Sequence, residues 1–207
     1  GEPVKGTSIV IGGVGGQGVI LTARILSEAA MAHGLKVQMS EVHGMSQRYG
    51  SVVSTVRMGN VQTSMVKKGE ADAIVGFEPL ESVRMLPYAQ RKTIVVTALT
   101  PIRPLLVVLG KESYPPLEEL HRTLREKAGR VLAIDADRIA RSVGDPVVAN
   151  SVLLGALLGT KVVPVPLERV RRTLAEYVPG KLLAANLEAL DIGYGIAVQD
   201  EYSIQFA

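Results

Sequence analysis

Ser8-Ile9-Val10-Ile11-Gly12-Gly13-Val14-Gly15-Gly16-Gln17-Gly18-Val19-Ile20-Leu21 is the stretch on which the fold turns. Residues 8–11 are a short run rich in β-branched side chains, and Gly12 and Gly13 break it. From 19 to 32 the pattern is helical, with Ile20, Ala23, Leu26 and Ala30 recurring at three-to-four spacing. Gly34 stands where a helix C-cap belongs. Residues 36–42 read as a second strand, with Val37 and Met39 on one face. Strand, glycine turn, helix, strand is a βαβ unit, which predicts a parallel pair with a right-handed crossover.

The same alternation continues outward. Residues 51–58 alternate as a strand, Gly59-Asn60 is a turn signal, and 61–66 are expected to return as a hairpin partner. Further strands are expected at 71–77, 93–97 and 131–134, and helices at 79–86, 117–127, 146–159, 167–178 and 181–199. The apolar run 105–109 reads equally as strand or coil, and Gly193 and Gly195 weaken the last helix. The expected architecture is α/β. It is one three-layer α/β/α Rossmann-like domain over 1–207, with a mostly parallel but mixed sheet and a helical C-terminal third from about 146.

Composition narrows the function. The 207 residues are 47% hydrophobic, and 23 Lys and Arg against 20 Asp and Glu leave a net charge of only +3. The basic pairs Lys67-Lys68, Arg91-Lys92 and Arg171-Arg172 do not make the clustered face that nucleic acid requires. There is no cysteine, which excludes a disulfide framework, a thiol nucleophile, a thiolate zinc site and an Fe–S cluster held by this chain. No apolar run approaches the roughly 18 residues needed to span a membrane. A soluble cytoplasmic protein is expected.

Two segments carry candidate chemistry. Gly13, Gly15, Gly16, Gln17 and Gly18 form a G-x-G-x-x-G loop between a strand and a helix. Its glycines permit a close backbone approach, and the helix N-terminus favours an anion. Glu41 lies close to where a dinucleotide fold places its ribose-binding acid, although its phase allows a structural role instead. No Walker lysine follows Gln17. The loop at 43–50 leaves the end of strand two with His43, Gln47 and Arg48 close together. Arg48 could clamp a carboxylate or phosphate, and His43 could carry a proton near neutral pH. Ser46 follows His43 by three residues, but no third triad member is evident. From the residues alone, the loop is as readily a solvated surface turn. A stand-alone NAD(P)-binding oxidoreductase or a nucleotide-binding module therefore stays open, although no Tyr-x-x-x-Lys pair accompanies the glycines.

Taken together, GVGGQGVILTARIL and SEVHGMSQRYGSVVSTVRMG resemble the gamma-type subunit of the 2-oxoacid:ferredoxin oxidoreductases, and within them the indolepyruvate type. Weaker matches extend the resemblance over most of the chain: Asn150 with Leu153-Leu154-Gly155-Ala156, then Asn186 and Gly193-Tyr194. Tyr49 stands where many relatives have glycine. The resemblance implies a subunit of an enzyme that oxidatively decarboxylates 2-oxoacids to acyl-CoA and reduces ferredoxin. It implies that thiamine diphosphate, magnesium and 4Fe–4S clusters sit on a large alpha subunit, with coenzyme A as co-substrate. It also implies that the chain itself holds no metal or cofactor. His43, Gln47 and Arg48 then become candidates for contact with substrate or coenzyme A, and the glycine loop for an anion or an interface. No thiamine-diphosphate motif of the GDG type with a downstream Asn is evident in this chain.

Overall fold

The computed structural model describes residues 5–42, 50–102 and 105–205. In chain order come β1 (Thr7–Val14), α1 (Val19–Ala32), β2 (Val37–Val42), β3 (Ser51–Met58) and β4 (Ala73–Gly76). Next are α2 (Pro79–Arg84), β5 (Ile94–Ala98), α3 (Leu105–Val108), α4 (Leu117–Lys127) and β6 (Arg130–Ile134). The chain continues with α5 (Ala136–Ser142), α6 (Ala149–Gly159), α7 (Leu167–Tyr177) and α8 (Gly180–Gln205). Among the described residues no helix is long and apolar enough to cross a membrane.

The strands form a six-stranded mixed sheet in the order β2-β3-β1-β4-β5-β6. Strands β1, β4, β5 and β6 pair in parallel, whereas β3 is antiparallel to both β1 and β2. The expected parallel β1–β2 pair is therefore not formed, because β3 occupies the place between them. The reason is chain economy: the connection from β2 to β3 is short, so an antiparallel return is cheap to close. All eight residues of β3 then find partners along β1, from Met58 opposite Thr7 to Ser51 opposite Val14. That pairing also carries β1 straight through Gly12 and Gly13, where the sequence predicted a break.

Two other expectations are corrected. Residues 61–66 form no strand. Their carbonyls are taken by side chains: Arg57 Nη1 donates to Thr63 O and Met65 O at 3.1 and 2.8 Å, and Thr55 Oγ1 donates to Ser64 O at 3.0 Å. Val61 and Val66 are buried from this irregular segment. The run near 105 is neither strand nor coil but the short helix α3.

Alternation along each strand divides the core between the two faces of the sheet. Ile9, Ile11, Ala73, Val75, Val96 and Ile134 pack with α1, α5, α6 and α7. Val10, Ile74 and Val95 pack the opposite way, against Met85 beyond α2 and Leu124 of α4. Burying each large apolar side chain contributes roughly 1.5–3 kcal/mol. The helical C-terminal third covers one face and also supplies the centre of the core, since every residue of α6 from Ser151 to Gly159 is buried. Helix α8 crosses α6 at close range, with Gly155 against Leu190 O and Gly193 against Val152 O. Ser151 Oγ donates to Asn186 Oδ1 across the same crossing at 2.6 Å. Gly193 and Gly195 do not interrupt α8, which runs unbroken through both.

Candidate functional site

Strand β1 leads into α1 on one face of the sheet, and β4 leads into α2 on the other. Where consecutive helices leave neighbouring parallel strands on opposite sides, a crevice opens at the carboxyl edge. A cavity of about 590 Å3 lies at this edge. Gly16, Gln17, Gly18 and Leu21 line one side, and Phe77, Ala98, Thr100 and Ile102 come from the ends of β4 and β5. Asp137 and Arg141 of α5 close it with Val147, Asn150 and Leu153. Its volume and largely apolar walls with a few polar groups are those of a small-molecule site.

The glycine loop is tightly built. Gln17 spans the end of β1 and the end of β4: its Oε1 accepts from Val14 N at 2.7 Å, and its Nε2 donates to Phe77 O at 2.9 Å. The Gln17 carboxamide is therefore committed to shaping the crevice. Gly15 N donates to Gly50 O at 2.5 Å, which ties the residue before β3 to the glycine turn. Gly18 is the N-cap of α1 at φ 82° and offers no side-chain cap. A side chain at Gly18 would be doubly disfavoured. The left-handed conformation resists a Cβ, and that Cβ would lie 2.6 Å from Asn150 Nδ2. Gly16 faces open space beside it.

Glu41 is exposed near the end of β2, an edge strand. With β3 intervening, β2 lies two strand spacings from β1, roughly 10 Å. His43, Gln47 and Arg48, with Tyr49, lie outside the described residues. Among the described residues, no group of three or more His, Asp or Glu side chains converges to hold a metal ion.

Residues 8–196 match the family described as pyruvate ferredoxin/flavodoxin oxidoreductase. The chain belongs to that family. It is 43% identical over 192 residues to indolepyruvate oxidoreductase subunit IorB of Pyrococcus horikoshii, a match covering 92% of this chain and 95% of that protein. The gamma subunit of a keto/oxoacid ferredoxin oxidoreductase from Geobacter sulfurreducens has the same fold. Its TM-score is 0.68 at 23% identity, over 93% of this chain and 99% of that one. The 2-oxoglutarate:ferredoxin oxidoreductase of Magnetococcus marinus contains the fold within a larger chain, with a TM-score of 0.67 at 21% identity. That match covers 94% of this chain and 31% of the larger one.

In this member of the pyruvate ferredoxin/flavodoxin oxidoreductase family, several site residues had gone unnoticed in the sequence as chemistry. Asn150 carries a polar group beside Gly18 of the glycine loop, and its carboxamide makes no hydrogen bond among the described residues. A signal existed, since Asn150 and Ser151 begin an otherwise apolar helix. Thr100 and Arg141 gave none, because only the tertiary fold brings them to the crevice. Arg141 is also held by Asp137, at 3.0 Å one helical turn away.

Glu78 was missed as well. It follows β4, has no exposed surface, and caps α2 by accepting from Leu80 N at 2.5 Å. Its Oε1 also accepts from Tyr114 OH at 2.6 Å, while its buried Oε2 has no partner. Burial raises the Glu78 pKa, against the lowering effect of the bonds from Tyr114 and Leu80; Glu81 raises it further. A carboxyl whose folded pKa lies above its unfolded value stabilises the fold most at low pH. That contribution is lost as pH rises through the folded pKa. Glu78→Gln should therefore remove a loss of stability that the wild type suffers as pH rises from the ordinary carboxyl value of 4.5 towards neutrality. Urea unfolding of both chains across that window is the measurement; parallel curves would show that Glu78 does not titrate there.

Proposed function

We propose that this chain is the subunit carrying no redox cofactor in a thiamine-diphosphate-dependent, indolepyruvate-type 2-oxoacid:ferredoxin oxidoreductase. The observation that carries the reading is the 43% identity to an indolepyruvate oxidoreductase subunit along nearly the full length of both chains. In the reaction, the 2-oxoacid carboxylate leaves as carbon dioxide and the acyl group joins the thiol sulfur of coenzyme A. Two electrons pass to ferredoxin and a proton is released. Thiamine diphosphate with magnesium, and the 4Fe–4S clusters, belong on a large partner subunit. A chain without cysteine has no thiolates for such clusters, and its contribution is binding and positioning. We place the complex in the cytoplasm.

In this reading the crevice faces the large subunit and receives part of coenzyme A. Leu21, Phe77, Ile102 and Leu153 offer apolar walls, and Asn150, Thr100 and the Gly16 backbone offer polar groups. Arg48 would meet an anion, either a phosphate of coenzyme A or a substrate carboxylate, with His43 and Gln47 ordering it. The first test is co-purification of the tagged chain from its native host. A large partner bringing iron and thiamine supports the reading, and a single species without either removes it. Arg48→Ala then separates two roles. Raised KM with intact assembly is expected for an anion contact, by a factor of about ten or more. Loss of the partner on a sizing column would instead make Arg48 an interface residue.

A further inference from the structure

The connection from β5 to α4 spans 99–116 and carries part of the crevice wall at Thr100 and Ile102. It presents apolar surface to solvent: Ile102 is 44% exposed, Val108 69% and Leu109 57%. These exposed apolar side chains, among the described residues, bury little surface that would hold their backbone in place. Its outgoing end is fixed by Leu99 N donating to Ile134 O at 2.8 Å. Before it enters α4, its returning end meets α2 through Tyr114, whose OH donates to Glu78 Oε1 at 2.6 Å.

Glu78 is unusual as an anchor. Its second carboxylate oxygen is fully buried without a partner. An unpaired buried oxygen costs stability, so capping α2 alone does not account for a glutamate here; a serine, threonine or aspartate would cap without that cost. The longer side chain does have a geometric consequence. It reaches from the start of α2, on one face of the sheet, to a tyrosine thirty-six residues later in the chain. We propose that Glu78 and Tyr114 are a pair of positioning residues. Together they tie the returning end of the β5–α4 connection to the residue that follows Phe77, and so hold Phe77, part of the crevice wall, in register with the glycine loop.

The inference rests on the coenzyme A reading only for its kinetic consequence; the tether can be tested without it. Tyr114→Phe removes one oxygen and leaves the ring, so the fold should survive. In the assembled enzyme, amide hydrogen exchange over 107–114 should quicken about tenfold or more in this variant, as expected for losing a hydrogen bond to a charged group. Glu78→Gln keeps a neutral acceptor for both Tyr114 and Leu80, and its exchange should quicken clearly less than in Tyr114→Phe, by about threefold or less. Unchanged exchange in Tyr114→Phe, or equal quickening in both variants, would overturn the tether. Kinetics form the second arm. KM for coenzyme A should rise about three- to tenfold in Tyr114→Phe with kcat preserved, and should stay closer to the wild-type value in Glu78→Gln, which keeps the acceptor. Quickened exchange with an unmoved KM would leave the tether standing and remove coenzyme A from the crevice.

Discussion

Gly193→Ala should destabilise this chain by about 1–3 kcal/mol, whereas Gly195→Ala, two residues further along the same helix, should stabilise it by up to about 1 kcal/mol. Both glycines lie inside α8, and both substitutions gain the same helix propensity by restricting the unfolded chain. They differ only in what the added methyl meets. At Gly195 nothing lies within 4 Å. At Gly193 the methyl would press on the backbone of α6, at Val152 O and within 3.0 Å of Ala156 N. Backbone inside a buried helix cannot swing aside as a side-chain tip can, so the two helices must part. Parting them opens gaps along a crossing that also holds Gly155, Gly159 and the Ser151–Asn186 hydrogen bond. Urea denaturation of the two variants is the check. Shifts of the same sign would mean that the α6–α8 approach is looser than the backbone contacts require.

Replacing Gln17 should have the second large effect, on the crevice as well as on stability. The carboxamide satisfies Val14 N and Phe77 O at once and so ties the end of β1 to the end of β4. Gln17→Ala leaves both backbone groups without that partner. Each costs about 1–3 kcal/mol when fully buried, so a total of about 2 kcal/mol is expected where the crevice lets water reach one of them. Gln17→Glu is the sharper test. Its carboxylate still accepts from Val14 N, but the second oxygen now faces the carbonyl of Phe77, and two acceptors repel. The side chain must take a proton or turn out, and either outcome disturbs the turn that sets the crevice mouth. A lowered Tm is the expected result, and, on the proposed coenzyme A reading of the crevice, a KM for coenzyme A raised about tenfold in the assembled enzyme. Wild-type Tm and KM in Gln17→Glu would show that the bridge carries neither stability nor site geometry.

The glycine loop was legible in the sequence as a strand-to-helix turn, and α1 occupies the residues that the three-to-four spacing predicted. Its reading as a ligand-facing loop was legible only in part. The motif identifies residues that can approach a ligand, but Gln17 and the Gly15 amide are consumed within the protein. Glu41 shows the same limit. Its distance along the chain fits a ribose-binding acid, yet the insertion of β3 sets it a strand further away. Glu78 and Tyr114 could not be paired in advance. Neither has a motif, and thirty-six residues separate them.

The sequence by itself determined the class of the fold, the positions of most helices and strands, the absence of thiolate ligands and the family. These are properties of local periodicity, composition and motif, which a chain carries before it folds. Only the tertiary structure decided the strand order, the use of Gln17 as a bridge, the crevice walls at Thr100, Arg141 and Asn150, and which glycine in α8 lies against the backbone of α6. Each of those depends on which distant segments come within a few ångströms of one another. That follows from competition among non-local pairings and from close packing, and no window of sequence contains it.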